Sequence, residues 1–223
     1  MYNPYFLINI HVRTAIPESL AQALLPWVLY SFWQLVYAPK PLHWTWLSIL
    51  TLGGLAITHN ITLLLATPFL ICYLLFLLWQ NRSGGSIQPE RLISIVFAGM
   101  AAIGISAFFW LPLIGERQYL SNFTLGIARY YMKNGGWDWN SIFDLHWPFY
   151  YRLGFSYSLG IAQLGLGVVG LLPLLRRAPI WRFWAIVTFL CCLGIGRFTL
   201  PLWESHPILL IPQFPWRLLI VAS

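Results

Sequence analysis

The stretch from Trp44 to Trp79 contains no Asp, Glu, Lys or Arg, and it constrains the fold more than any other feature of the chain. A helix that crosses the hydrocarbon core of a bilayer needs about 20 consecutive, mostly apolar residues. The stretch is too long for one such helix and long enough for two. We therefore expect two membrane spans separated by a turn at the polar break Thr58–Asn60, with Asn60 as the N-cap of the second span.

The composition agrees with a membrane protein. The chain is 59% hydrophobic and 9% charged, whereas about 25% of the residues in soluble domains are charged. Its 13 tryptophans fit the aromatic belts at the two membrane–water boundaries. The net charge of +7 is scattered without a basic run, so it does not indicate a nucleic-acid partner, and none is expected. Three cysteines, Cys72, Cys191 and Cys192, lie in apolar segments without ligand spacing and are interpreted as small apolar residues.

Apolar runs predict an all-α, polytopic transmembrane helical bundle of about six spans plus a truncated one, in a single domain over residues 1–223. A polar, aromatic extracytoplasmic loop is expected over residues 115–155. The expected spans are Leu20–Ala38, the two halves of Trp44–Trp79, Leu92–Ile114, Ser156–Leu175 and Ile180–Leu200, before a Pro-rich connection to a last apolar run.

The short loops between these spans predict the orientation. The loops that would all lie on one side contain Lys40, Arg82, Arg91 and the three arginines of Arg176–Arg182. Short loops rich in Lys and Arg stay in the cytoplasm, so this side is assigned as cytoplasmic. We expect a multi-pass protein of the plasma membrane, with the Thr58–Asn60 turn on the extracytoplasmic side.

This topology gathers polar residues at the outer face. Each of them alone could be a membrane anchor, but arginines bind phosphate through two parallel hydrogen bonds and a carboxylate can act as a general base. Together they predict a pocket for a lipid-phosphate donor and a transfer reaction outside the cell. The predicted catalytic residues are Glu116 and Glu18, and the predicted substrate-binding residues are Arg13, His59, Asn60 and Arg217; Arg117, Glu204 and His206 lie on the same face.

No cofactor is evident from motifs. The chain has no Asp–x–Asp, no glycine-rich phosphate loop and no His–Glu–x–x–His. Asp138 and Asp144 lie in GGWDWNSIFDLHWP, which is typical of a turn-rich loop. A divalent metal held by Asp144 and His146 is the open alternative, without further support.

Four short motifs carry a family resemblance: RTAIPESLAQALLPW, ITHNITLLLATPFL, GISAFFWLPLIGERQY and QFPWRLL. The chain resembles the bacterial and archaeal membrane proteins called 6-pyruvoyl-tetrahydropterin synthase-related, which are similar to polytopic GT-C-type glycosyltransferases. The resemblance implies transfer of a sugar from a polyprenyl-phosphate donor at the outer face. It does not imply pterin chemistry, because the five histidines are spread without zinc-ligand spacing.

The resemblance also implies an acidic residue in a first outer loop, and no acidic residue precedes Glu18. Since the chain also ends soon after Arg217, we expect a fragment that is inactive alone. The alternative is a non-enzymatic membrane protein, a lipid or polymer transporter or an assembly subunit, that uses the same groove. A transporter should show repeat symmetry or ionisable residues at mid-span, and their absence from the sequence pattern favours the transferase.

Overall fold

The computed structural model describes residues 4–11, 13–82, 88–116, 179–205 and 215–222, with positions 165, 167, 209, 211 and 212. Every regular element in these residues is helical, in agreement with the expected all-α class. The chain divides into two compact units. Unit 1 combines Met1–Ser19 with Leu120–Ser223, and unit 2 is Leu20–Tyr119.

The described helices are labelled in chain order. They are α1 (Pro4–His11), α2 (Ile16–Tyr37), α3 (Leu42–Thr58), α4 (Asn60–Arg82), α5 (Pro89–Ile105), α6 (Ala107–Gly115), α7 (Pro179–Ile195), α8 (Leu200–Glu204) and α9 (Leu219–Ala222), with 3₁₀ turns at Arg197–Thr199 and Pro215–Leu218. The expected span Ser156–Leu175 falls almost wholly outside the described residues, as does the expected outer loop beyond Glu116.

Within the described part, α4 is the helix that is long and apolar enough to cross a membrane. Helices α3 and α7 are apolar but shorter. The predicted pair of helices in Trp44–Trp79 is therefore present, and the remaining spans stay predictions. Helix α7 lies at the expected span Ile180–Leu200 but ends earlier, at Ile195. Gly196 and a 3₁₀ turn follow it.

The expected span Leu92–Ile114 consists of two helices, because the helix is interrupted at Ser106. This buried residue has φ −84° and ψ 0°. Its Oγ donates to the carbonyl oxygens of Ala102 at 2.8 Å and Ile103 at 3.1 Å. The indole of Trp110 also donates to the Ile103 oxygen, at 3.1 Å. Side chains therefore satisfy backbone groups at the break, which apolar composition alone does not reveal.

Helix α3 packs closely on α5 in unit 2. A Cβ atom added to Gly53 would lie 3.6 Å from the carbonyl oxygen of Ala102. Ala98 and Ala102 are fully buried on the facing side of α5. Small residues at a contact let two helix backbones approach each other, as is common in membrane bundles. A 3.3 Å hydrogen bond between Ser31 and Thr51 links α2 to α3 in the same unit.

Hydrogen bonds join α2, α4 and α5 at one end of unit 2. The hydroxyl of Tyr37 lies 3.4 Å from the carbonyl oxygen of Leu77 and 3.3 Å from Oε1 of Gln80. Arg91 donates to the carbonyl oxygen of Val36. The C-terminal ends of α2 and α4 and the N-terminal end of α5 therefore meet, as alternating helices require.

In unit 1, α7 packs against the C-terminal segment. Gly194 makes room for Leu218, since an added Cβ would lie 2.7 Å from Cδ1 of Leu218. The carbonyl oxygen of Gly194 accepts hydrogen bonds from the indole of Trp203 at 2.8 Å and from Thr199 Oγ1 at 2.9 Å. Cys191 and Cys192 are buried free thiols in this helix.

Candidate functional site

Glu18 is the centre of a buried polar cluster in unit 1. It lies in the first turn of α2, where the positive end of the helix dipole favours a carboxylate, and it is 1% exposed. Its Oε1 accepts hydrogen bonds from the hydroxyl of Tyr5, from Asn9 Nδ2 at 3.3 Å and from Arg13 NH1 at 3.3 Å. One carboxylate oxygen thus contacts three donors.

The other carboxylate oxygen faces the C-terminal part of unit 1. Nε of Arg217 lies 3.4 Å from Glu18 Oε2. Arg217 is itself buried in the 3₁₀ turn, and its NH1 donates to the carbonyl oxygen of Pro212 at 2.7 Å. The five residues Tyr5, Asn9, Arg13, Glu18 and Arg217 are called the Glu18 cluster below. It joins α1 and the start of α2 to the 3₁₀ turn Pro215–Leu218.

The spacing of α1 explains how the N-terminal members reach Glu18. Tyr5 and Asn9 are four residues apart, so their side chains share a helix face. Arg13 follows after four more residues, and its NH1 donates to Asn9 Oδ1 at 2.6 Å. Fully buried Asn9 therefore receives and gives hydrogen bonds within the cluster.

A tight turn folds α1 back towards the start of α2. Backbone N–H groups of Arg13 and Ala15 donate to the carbonyl oxygens of Ile8 at 2.9 Å and Asn9 at 2.7 Å. Thr14 between them has φ 51°, in the left-handed region. A β-branched residue in this region costs about 1–3 kcal/mol. The turn therefore stores backbone strain next to the cluster.

Burial and charge shift the two pKa values that matter most here. Burial, followed by the Glu18 carboxylate, raises the pKa of Tyr5 well above its usual 10.0, so the phenol stays a neutral donor. Burial lowers the pKa of Arg217, and Glu18 partly opposes this shift. Two arginines and one carboxylate leave the cluster with a net positive charge. Arg13, with a side chain 14% exposed, is its most accessible charged group.

His59, rather than Asn60, is the N-cap of α4 in unit 2. His59 has extended backbone, with φ −156° and ψ 97°. Its Nδ1 accepts the backbone N–H of Thr62 at 3.2 Å and lies 2.7 Å from the Thr62 hydroxyl. An N-cap side chain accepts the N–H two or three positions into the helix, which His59 does here. The prediction that Asn60 caps this helix is wrong: Asn60 is the first helical residue.

The other predicted residues are placed as follows. Glu116 follows α6 as its C-cap and is exposed in unit 2, and Glu204 ends α8 and is exposed in unit 1. Arg117, His206, Asp138, Asp144 and His146 lie outside the described residues.

Three predicted residues, Arg13, Glu18 and Arg217, meet in unit 1, whereas His59, Asn60 and Glu116 belong to unit 2. One pocket that holds all six stays a prediction. Within the described part of the chain, His, Cys, Asp and Glu form no group of three that could hold a metal ion.

Tyr5 and Asn9 were not predicted from the sequence. They lie in MYNPYFLINIHV, which is too short for a membrane span and precedes the first expected span at Leu20. The available signal was the four-residue spacing of Tyr5 and Asn9, which places two polar groups on one helix face ahead of Arg13 and Glu18.

Comparison with known proteins gives a family and one relative. The family model described as "6-pyruvoyl-tetrahydropterin synthase related domain; membrane protein" matches residues 2–219. An uncharacterized protein of Lactococcus lactis subsp. cremoris (strain MG1363) is 32% identical over 110 residues, which are 47% of this chain and 17% of that protein. The chain thus spans less than a fifth of that relative's length. No solved structure matches. The family resemblance drawn from the motifs is confirmed, and the likeness to GT-C enzymes stays a prediction.

Proposed function

We propose that this chain, which belongs to the 6-pyruvoyl-tetrahydropterin synthase related family of membrane proteins, is part of a polytopic plasma-membrane enzyme. The enzyme transfers a sugar from a polyprenyl-phosphate donor at the extracytoplasmic face. The observation that carries the proposal is the exposure of Arg13, whose side chain, at 14%, is the most accessible charged group of a cluster with net positive charge. A lipid-linked phosphate is an anion of complementary charge, and arginine binds phosphate through paired hydrogen bonds.

The members of the Glu18 cluster then have distinct roles. Arg13 binds the donor phosphate. Glu18, at 1% exposure, is a positioning residue that orients Arg13 and Arg217. Arg217 adds positive potential from within the cluster. Such preoriented charges stabilise negative charge as it develops in a transition state.

Glu116 is the carboxylate assigned to the acceptor, because it is exposed whereas Glu18 is not. In the proposed step an acceptor hydroxyl oxygen bonds to the anomeric carbon and gives its proton to Glu116. The bond between that carbon and the phosphate oxygen breaks, and polyprenyl phosphate leaves with the electron pair beside Arg13. His59 and Asn60 of unit 2 are the candidate substrate-binding residues for the acceptor in this proposal.

The test is a transfer assay with the complete protein in membrane vesicles. A panel of radiolabelled polyprenyl-phosphate hexoses supplies the donor, and label released from the lipid is counted. We expect Arg13→Ala and Glu116→Gln to lower the transfer rate by roughly 10²-fold or more, because each removes a group that acts in the transition state. Arg13→Lys should keep part of the rate, since the positive charge remains.

Two exposed residues provide matched controls. Arg82→Ala removes an arginine at the end of α4, and Glu90→Gln removes a carboxylate in the first turn of α5. Both should transfer at the wild-type rate. Wild-type rates in Arg13→Ala and Glu116→Gln, or no transfer by the wild type from any donor, would overturn the proposal.

A second candidate is a non-enzymatic lipid or polymer transporter or assembly subunit. The observation that favours it is the closure of the Glu18 cluster, since Tyr5 and Asn9 are fully buried and Glu18 nearly so. A buried ion-pair cluster holds segments of the fold together and does not need to contact a reacting substrate. In the same vesicles this candidate predicts donor binding that depends on Arg13, without release of label to any acceptor.

A further inference from the structure

An open groove lies between the start of α3 and α5 in unit 2. Its volume is about 500 Å³, and its lining is mainly apolar. A second cavity of about 350 Å³ continues it along α5, because the two share Ile93 and Phe97. We call the two together the α3–α5 groove. Its lining includes Lys40, Leu42, Trp46, Ile93, Phe97 and Met100.

The apolar wall of this groove is an uncovered helix face. Ile93, Phe97 and Met100 follow one another at three- and four-residue spacing, so they form a single stripe on α5. Met100 is 69% exposed and Phe97 is 53% exposed. At a rise of 1.5 Å per residue the stripe from Ile93 to Met100 is about 10 Å long. Its shape and length suit one stretch of an extended hydrocarbon chain.

Positive charge lies at one end of the groove. Exposed Lys40 lines the groove beside Leu42, where α3 begins. Arg82 and Arg91 belong to the same end of unit 2, because Tyr37 bonds to Gln80 and Arg91 bonds to Val36 there. Glu90 is the acidic residue in the described part of this end. A groove with a cationic mouth and an apolar length is complementary to an amphiphile with an anionic head.

We propose that the α3–α5 groove binds an anionic phospholipid. The ammonium group of Lys40 pairs with the lipid phosphate. One acyl chain lies along Ile93, Phe97 and Met100. Trp46, half exposed on the facing helix, lies near the glycerol level, where tryptophan is preferred in membrane proteins. This proposal is independent of the transferase proposal, since it uses other residues in unit 2.

The charge argues for a lipid rather than for a second copy of the chain. A symmetric dimer formed through this face would place the same surface patch on both partners. The basic end of each copy would then face the same surface patch on the other copy. That patch supplies no anion to compensate the positive charge. A phospholipid instead supplies the opposite charge and the apolar surface in one molecule.

The test is lipid retention by the full chain, measured by native mass spectrometry. The protein is incubated in detergent with phosphatidylglycerol or phosphatidylcholine of identical acyl chains. Lys40→Gln and Phe97→Ala remove the cationic mouth and the centre of the apolar wall in turn. Arg182→Gln and Ile71→Ala are matched controls, since both residues are exposed and neither lines the groove.

We expect the wild type to retain more phosphatidylglycerol than phosphatidylcholine. Lys40→Gln should lower retention of phosphatidylglycerol about fivefold and that of phosphatidylcholine less, because the choline cation already offsets the phosphate charge. Phe97→Ala should lower retention of both lipids, and the two controls should match the wild type. Equal retention of the two lipids by the wild type, or unchanged retention in Lys40→Gln, refutes the proposal. A lipid-free dimer that Phe97→Ala dissociates assigns the face to a second copy and also refutes it.

Discussion

The substitution Glu18→Gln should strongly destabilise unit 1. Arg13 NH1 and Arg217 Nε lie 3.3 Å and 3.4 Å from the carboxylate oxygens. At an effective dielectric constant of 20, each pair attracts by about 5 kcal/mol, much of which offsets the cost of burying the charges. Removing one partner of a buried ion pair costs about 3–5 kcal/mol, because the remaining charge stays buried. Glutamine keeps the volume of Glu18 and an oxygen for Tyr5, so the loss reports charge.

The two buried thiols of α7 supply the assay. Cys191 and Cys192 belong to unit 1 and react with a maleimide when that unit opens. The background substitution Cys72→Ser removes the exposed thiol. When closing is faster than labelling, a loss of 3–5 kcal/mol accelerates labelling by about a hundredfold to a few thousandfold.

Two controls distinguish the loss of the buried Glu18 charge from the loss of any carboxylate in unit 1. Glu204→Gln changes an exposed carboxylate of the same unit and should label at the wild-type rate. Adding Arg217→Gln to Glu18→Gln should recover part of the lost stability, since it removes the buried unpaired charge. The reasoning fails if Glu18→Gln labels no faster than Glu204→Gln, or if the double variant loses the sum of both single effects.

Three further outcomes follow from single contacts. The pKa of Tyr5 is raised in the folded state, so the stability that the neutral phenol contributes is present below about pH 10. This stability is lost as the pH rises towards the folded pKa. In thiol-labelling profiles, Tyr5→Phe should flatten this alkaline decline. His59→Ala should cost about 1 kcal/mol in thermal unfolding, and Asn60→Ala distinctly less; the reverse order would refute the assignment of the cap. Gly194→Val should cost about 1–3 kcal/mol by crowding Leu218, more than Gly194→Ala, in the same thiol assay; equal costs would contradict this packing.

The break in the long uncharged stretch could be predicted, and its capping residue could not. Thr58, His59 and Asn60 interrupt an apolar run, so a turn there follows from the sequence. Asparagine is a preferred N-cap and histidine is not, which led to Asn60. The choice of His59 depends on its extended backbone and on the reach of its Nδ1 to Thr62. Those are properties of the folded turn.

The division of the expected span Leu92–Ile114 has a similar cause. Hydropathy counts apolar residues and does not register where a side chain replaces a backbone hydrogen bond. Ser106 is one small polar residue in an apolar run, and serine is often tolerated inside membrane helices. The break becomes visible only when Ser106 and Trp110 both donate to the carbonyl oxygen of Ile103.

Topology predicted that residues distant in sequence share one face, but it could not predict that their charges would satisfy one another. The sequence predicts Arg13 and Arg217 as substrate-binding residues and Glu18 as a catalytic residue, and in the structure Glu18 forms ion pairs with both arginines. Because of this pairing, substitutions of Glu18 and of Arg13 report different properties of the protein. Substitution of buried Glu18 changes stability whatever the function is, so loss of activity in Glu18 variants identifies no catalytic group. Substitution of Arg13, which is partly exposed, leaves the contact of Arg217 with Glu18 in place. Activity lost in Arg13→Ala without faster thiol labelling therefore reports substrate binding rather than unfolding.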